Sequence, residues 1–409
     1  MTKGKYIQLI LILGSMTALG PFSIDMYLPS FSGIAKDLHT SVTLVSESLS
    51  SYFIGISFGQ LLYGPLLDRF GRKKPLFIGL MVYIMASLGC AVVTDIHVFI
   101  GLRFVQAVGS CAATVAAVAM VRDLFPVKEI PNVLSKLMLV LGLSPMLAPT
   151  IGSYVTTYYG WHPIFYILMF LGTFVLIASQ LGLPDSHKPD PDISLKPKPI
   201  IANFVSIIKV PQFYTYALTG SIAFSGLFTY VAASPILFMG ILKVDATAYG
   251  WIFAFMSVSF IGSSQLNSIL LRRFSSEQMI FGALIVQITI SVIFLILAIN
   301  DDLGLYGTMA LLFLFLACLG ISNPNTAGLT LAPFARNTGS ASALMGATQL
   351  GIGALSSFAV GIFVKDSMVP MVAIMTCTTI LAFIVLNIGK KRIKETIVNN
   401  GDDEIVIGH

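Results

Sequence analysis

The sequence predicts an all-α membrane protein in which twelve transmembrane helices form two six-helix bundles related by a pseudo-two-fold axis. Three observations point there. The 409 residues are 56% hydrophobic and only 11% charged, with a mean hydropathy of +0.87, whereas a soluble domain carries about 25% charged residues. Twelve apolar segments approach the ~20 residues that cross a bilayer core. They fall at residues 6–28, 43–65, 75–94, 98–121, 132–158, 161–182, 212–238, 247–271, 278–299, 304–328, 339–363 and 368–389. With the N-terminus in the cytoplasm, 20 of the 24 Lys and Arg lie on the cytoplasmic side and only Lys36, Lys243 and Lys365 outside, which leaves Arg103 within a span. Positive charge stays inside in this way, and one miscounted span would invert every later loop.

In chain order, the first segment follows Met-Thr-Lys-Gly-Lys and resembles a signal peptide, but the run is too long and has no small-residue cleavage site. It reads as a retained span, uncharged from Tyr6 to Ile24 until Asp25. Turn formers and charges break the later spans: Gly71-Arg72-Lys73-Lys74-Pro75 after the second, Arg122-Asp123-Leu124-Phe125-Pro126 after the fourth, and Asn300-Asp301-Asp302-Leu303-Gly304 after the ninth. The longest polar stretch, rich in Pro, Lys and Asp, runs from Pro184 to about Val210 and reads as a partly disordered linker. It divides the chain into an N-terminal bundle (1–183), a cytoplasmic linker (184–210), a C-terminal bundle (211–390) and a cytoplasmic tail (391–409). Leu67-Asp68-Arg69-Phe70 and Leu271-Arg272-Arg273-Phe274 hold equivalent places in the two halves. Parallel repeats of this kind place a substrate site at their interface near the bilayer midplane.

Charge placement follows topology, so the net charge of +5 does not signal nucleic acid. Cys90, Cys111, Cys318 and Cys377 all lie in apolar runs, without disulfide or metal spacing. The five histidines fall in loops or at ends, so neither a metal site nor a histidine proton relay is expected. No Gly-x-x-x-x-Gly-Lys-Ser/Thr run exists to support an ATP-driven pump.

Two charges are clearly intramembrane. A carboxylate or guanidinium there costs about 2.5–3.5 kcal/mol at a helix centre on insertion scales, less toward the interface. Asp25 lies about one turn before the outer end of span one at Pro29, and Arg103 about one turn below the outer face of span four. Asp25 reads either as a group at the helix end near the headgroups or as a titratable carboxyl in a polar cavity. Arg103 either snorkels outward or faces a partner. Their similar depth makes a pair expected, direct or through Gln106 or a water. In span four, Gln106, Ser110, Thr114 and Ala117 share the Arg103 face, as a cavity wall or as helix–helix glue. Phe224, Phe228 and Tyr230 in span seven, and Met239 after it, suit an adaptable apolar pocket or lipid contact. Asn323, Asn325 and Gln349 are polar groups expected to face the interior.

Gly64-Pro65-Leu66-Leu67-Asp68-Arg69-Phe70-Gly71-Arg72-Lys73-Lys74-Pro75-Leu76 reads as a tight cytoplasmic loop in which Gly64 permits close approach and Gly71 a turn. It resembles the signature loop of the major facilitator superfamily. The resemblance implies that fold, and a charge relay of Asp68, Arg69 and Arg72 latching the halves together. In the second copy Arg272 stands in the Asp68 place and the glycine is missing. Arg103-Phe104-Val105-Gln106-Ala107-Val108-Gly109 resembles the superfamily's fourth-span signature, associated with proton transfer. Gly142-Leu143-Ser144-Pro145-Met146-Leu147-Ala148-Pro149-Thr150-Ile151-Gly152 resembles the fifth-span antiporter signature, with Ala148 and Ser153 where glycine is usual. From the residues alone, Gly142, Pro145, Pro149 and Gly152 mark a kink and a close helix contact.

Asp25-Met26-Tyr27-Leu28-Pro29, with Ser234-Pro235 and Asn323-Pro324-Asn325, resembles the bicyclomycin/chloramphenicol-resistance exporters of the drug:proton antiporter class. The resemblance implies a monomeric, multi-pass protein of the bacterial inner membrane, both termini cytoplasmic. It would export small amphipathic compounds such as antibiotics by alternating access, with the proton gradient as energy source and no cofactor. Asp25 and Arg103 would couple protons. Tyr27, Gln106, Ser110, Thr114, Phe228, Asn323, Asn325 and Gln349 would line the substrate cavity. The alternative is a metabolite or nutrient transporter on the same fold, because fold alone decides neither direction nor substrate.

Overall fold

The computed structural model describes residues 3–126, 129–186, 189–190, 197–334, 338–364, 367–393, 396–399 and 405–408. Lys128, Lys188, Lys196, Arg336, Lys365 and Lys394 of the charge count, His187 and His409, and parts of the linker and tail lie outside the described residues.

Twelve of the described helices have 20 residues or more. In the first half these are α1 (Lys3–Asp25), α3 (Val42–Phe70), α4 (Lys73–Val92), α5 (Ile96–Leu124), α6 (Ile130–Tyr159) and α7 (His162–Gly182), with a short α2 (Phe31–Asp37) after α1. A linker helix, α8 (Pro197–Ile208), precedes α9 (Pro211–Pro235), α10 (Ala246–Leu270), α11 (Ser276–Ile299), α12 (Leu305–Leu331), α13 (Thr338–Phe363) and α14 (Val369–Lys390). Eleven are long and apolar enough to cross a membrane. The other, α3, has 29 residues, diluted by Ser46, Glu47, Ser48, Ser50 and Ser51. In the tail, Thr396–Asn399 pairs antiparallel with Ile405–Gly408, a departure from the all-helical expectation.

Local chemistry explains the boundaries. The Asp95 carboxylate accepts from the amides of His97 and Val98 at 2.8 and 2.9 Å and starts α5. Ser275 and Gln278 form a capping box at the start of α11. Gly71, with φ +79°, ends α3 in a conformation that side chains rarely adopt.

Three sequence expectations change. The first span ends as a helix at Asp25, not at residue 28, and a 3-10 turn follows at Leu28–Ser30. Pro29 explains the break, since it cannot donate to a preceding helical carbonyl. The signature loop shrinks to Gly71 and Arg72, because Gly64 to Phe70 continue α3; a Cβ on Gly64 would meet nothing within 4 Å, so that glycine serves no close approach. The linker holds α8, whose prolines fall in the first turn, where a missing N–H is harmless.

The chain forms two compact units, residues 1–196 with Val244–Ala254, and Pro197–Lys243 with residues 255–409. In the first, α5 is central. A Cβ on Gly55 of α3 would lie 2.6 Å from the Phe104 carbonyl, and one on Gly109 2.6 Å from the Tyr83 amide of α4. Small residues therefore let α3 and α4 close directly on α5 and wall in whatever α5 carries. The start of α10 joins this unit, where Thr150 of α6 donates to the Gly250 carbonyl at 3.2 Å. In the second unit α9 is central. Phe228 packs into α13, where a Cβ on Gly353 would lie 2.2 Å from its ring.

Candidate functional site

Arg103 is fully buried at 0% exposure. Its guanidinium carbon lies 4.2 Å from the Tyr27 ring centroid and 4.3 Å from that of Tyr52, a cation between two aromatic faces. Each such contact is worth about 2 kcal/mol when desolvated. One terminal nitrogen donates to the Ser23 carbonyl at 2.8 Å, the other to Gln106 Oε1, while Nε has no partner. Ser23 belongs to the last turn of α1, whose carbonyls lack helical donors and carry the negative end of the helix dipole. The helix break thus supplies Arg103 with an acceptor.

The polar partners continue inward. Gln106 Nε2 donates to Ser87 Oγ at 2.8 Å, which donates to the Tyr83 carbonyl at 2.7 Å. The Ser23 and Tyr83 hydroxyls are 2.7 Å apart, those of Tyr27 and Ser48 3.0 Å, and those of Tyr52 and Ser110 2.9 Å. Five helices, α1, α3, α4, α5 and α7, hold this cluster, with Phe165 of α7 5.8 Å from the guanidinium.

Asp25 lies two residues past Ser23 and is 5% exposed. Among the described residues its carboxylate accepts no hydrogen bond, and no basic nitrogen lies within the 4.0 Å of an ion pair. No direct ion pair joins Asp25 to Arg103. Gln106 does bind Arg103, but leads on to Ser87 instead of Asp25. Arg103 points inward, not to the headgroups.

Pro145 and Pro149 lie inside α6 and Gly142 is half-buried on it. A Cβ on Gly152 would stand 1.8 Å from the Met26 carbonyl oxygen. The fifth-span motif therefore abuts the break that follows Asp25.

The residues expected to line a cavity divide. Tyr27, Gln106 and Ser110 are at most 1% exposed and belong to the Arg103 cluster, so they line no open wall in this structure. Phe228, 8% exposed, is core of the second unit, edge-on to Phe224 at 5.5 Å. Thr114, Asn323 and Gln349 are half-buried. Gln349 Nε2 donates to Asn323 Oδ1 at 3.0 Å. Asn325 donates to Asn267 Oδ1 at 2.7 Å and to the Ile321 carbonyl at 2.8 Å, leaving its own buried Oδ1 without a partner.

At the other end of the first unit, Arg72 bridges Asp68 at 2.5 Å and Asp123 of α5 at 2.8 Å. Burial alone would favour the neutral form, but the two carboxylates outweigh it and raise the Arg72 pKa above its ordinary value. The Arg69 guanidinium carbon lies 5.8 Å over the Phe70 ring. Ser186 donates to Asp123 at 3.1 Å and Lys73 to the Gln180 carbonyl at 3.2 Å, which ties the start of the linker to the same cluster.

Sequence reasoning missed Tyr52, Tyr83, Ser87, Asp123 and Asn267. Asp123 carried a signal, an acid in the last turn of α5 next to Arg122. The hydroxyls carried none, because Ser and Tyr are common in apolar spans.

A bicyclomycin resistance protein homolog of Haemophilus influenzae is 33% identical over 373 residues, 91% of this chain and 94% of the relative. A chloramphenicol resistance protein of Pseudomonas aeruginosa is 28% identical over 78% of this chain and 76% of its own. A partially occluded inward-open structure of the xylose transporter XylE from E. coli superposes with a TM-score of 0.73 at 12% identity, covering 93% of this chain and 97% of its own, a likeness of fold. The model of the Major Facilitator Superfamily matches residues 13–357, and this multi-pass membrane protein belongs to that family.

Proposed function

We propose that the protein is a proton-coupled exporter of small amphipathic compounds such as antibiotics, working by drug:proton antiport with alternating access. One observation carries the coupling. A fully buried arginine is held by a carbonyl, a glutamine and two tyrosine rings, while an almost buried carboxyl two residues away in sequence from that carbonyl has no partner. An unpaired carboxylate inside the membrane is costly, up to about 2.5–3.5 kcal/mol at a helix centre and less toward the interface, so we assign this arrangement to protonated Asp25. Loss of the proton creates a charge that draws either Arg103 out of its tyrosine cage or a cationic substrate into the site. One carboxyl serving proton and substrate in turn gives exchange, with no group beyond the proton gradient needed to drive it.

Thr114, Asn323 and Gln349, half-buried and polar, are the side chains assigned to substrate contact. Arg72, Asp68 and Asp123 are assigned to the latch that opens and closes with the transport cycle. The distribution of Lys and Arg supports an inner-membrane orientation with both termini cytoplasmic. The relatives' names, for resistance to bicyclomycin and chloramphenicol, favour export of drugs over nutrient uptake. The test is a drug-susceptibility panel in an efflux-deficient host, with substrate-induced proton release in proteoliposomes. Asp25→Asn should insert normally and lose both resistance and proton release. Unchanged resistance and pH dependence in that variant would overturn the assignment.

A further inference from the structure

We infer that α8 is a membrane-surface helix that lies in the plane of the bilayer and binds anionic phospholipid of the leaflet from which α9 enters, the cytoplasmic one in the orientation above. The argument starts from its residues. At about 100° per residue, Ile201, Val205 and Ile208 fall within about 60° of one another on the helix surface. All three are exposed, at 57%, 42% and 47%. Lys198 and Lys209, also exposed, lie along one rim of this stripe, with Ala202 and Ser206 beyond them. The opposite face is occupied: Ile207 is 1% exposed and Asn203 Nδ2 donates to Ser340 Oγ of α13 at 3.0 Å. The helix thus has one side packed on its own bundle, one aliphatic side that the described residues leave uncovered, and a lysine rim between that side and a small polar side.

Position says what covers the aliphatic stripe. Only Lys209 and Val210 separate α8 from Pro211, where α9 begins its span. Two residues reach at most about 7 Å, so the C-terminal end of α8 stays at the interface. A 12-residue helix of this kind is too short to span. Isoleucine and valine pointing into the acyl boundary, with lysines at headgroup level, is how an amphipathic helix rests on an anionic surface. Each lysine near such a surface is worth roughly fivefold in partitioning.

The test uses the full chain with Cys377→Ser, since the other three cysteines are buried. A nitroxide is placed singly at 201, 202, 205, 206 or 208, and the protein is reconstituted in phosphatidylcholine vesicles with or without phosphatidylglycerol. Labels at 201, 205 and 208 should be reached by oxygen in preference to a water-soluble nickel chelate, and labels at 202 and 206 the reverse. The contrast should fall when phosphatidylglycerol is left out, and equally in Lys198→Gln/Lys209→Gln protein with the lipid present. Nickel access at all five positions overturns the surface placement. Shielding of 201, 205 and 208 from both reagents overturns it too, because a chain segment or second copy would then be the cover. A contrast indifferent to phosphatidylglycerol and to both lysines overturns the anionic-lipid assignment.

Discussion

Gly152→Ala is the sharpest test of how the fifth-span motif serves the site. The new methyl would sit 1.8 Å from the Met26 carbonyl oxygen and 2.8 Å from its carbon, where ordinary contact begins at 3.4 Å. Because the obstacle is backbone, no side chain can rotate away. Either α6 or the segment after Asp25 must move by about 1.5 Å, an overpacking that costs about 1–3 kcal/mol. The segment is the softer of the two, a 3-10 turn between helices instead of a continuous 30-residue helix. Its displacement would shift Tyr27 against Arg103 and Asp25 against whatever it next engages. A misplacement of about 1 Å can cost about 10²-fold where geometry is rate-determining. We expect initial rates of proton-driven uptake into everted vesicles to fall at least about tenfold, with folded protein still recovered in the membrane. Gly64→Ala is the matched control. Its Cβ meets nothing within 4 Å, and alanine gains about 0.5–1 kcal/mol over glycine in a helix, so transport should persist. Wild-type rates in Gly152→Ala would refute the reasoning.

Three further outcomes follow from the geometry. Arg103→Lys keeps the charge but loses the planar fork between Tyr27 and Tyr52, and should lower unfolding stability by about 2–4 kcal/mol in detergent melts; an unchanged melt would argue against the tyrosine cage. Asp123→Ala should destabilise by about 2–3 kcal/mol, because the Asp123 side chain is 16% exposed in its pair with Arg72, whereas the Asp68 side chain, 50% exposed, should cost less than about 1 kcal/mol when removed. Equal melting shifts would show that neither carboxylate dominates the latch. A double-mutant cycle on Asn267 and Asn325 should give a coupling of about 0.6 kcal/mol and no more than about 1.7 kcal/mol, the mean and maximum measured for hydrogen bonds between helices in a membrane.

The spans were legible because bilayer thickness imposes a length that can be read along the chain. Arg103 and Asp25 were legible because charge in an apolar run is costly. Their separation was not. Whether a guanidinium prefers a carboxylate or a carbonyl flanked by two tyrosine rings depends on where α1 breaks and on how closely Gly55 and Gly109 let α3 and α4 approach α5. Those are three-body matters, invisible to spacing. Likewise, Gly64 and Gly152 both sit in motifs, yet only the structure shows that one touches nothing and the other touches backbone.

The internal repeat bears on which half senses protons. Buried positions 103, 106, 107 and 110 on α5 recur with the same spacing at 312, 315, 316 and 319 on α12. There the residues are Arg, Gln, Ala and Ser in α5 but Leu, Phe, Leu and Leu in α12. The second unit carries the amides Asn267, Asn323, Asn325 and Gln349 among many buried hydroxyls, and its half-buried carboxyl, Glu277, is held by Tyr216 and Lys390. Amides recognise but do not titrate, whereas a carboxyl does both. If the division holds, the two functions separate by mutation. Gln349→Ala, which frees the Asn323 carbonyl oxygen, should change the order of preference among exported compounds and leave the pH dependence of transport where it was. Asp25→Asn should abolish the pH dependence for every compound alike. A Gln349→Ala protein with an altered pH profile and an unaltered substrate order would show that recognition and coupling are not divided between the halves in this way.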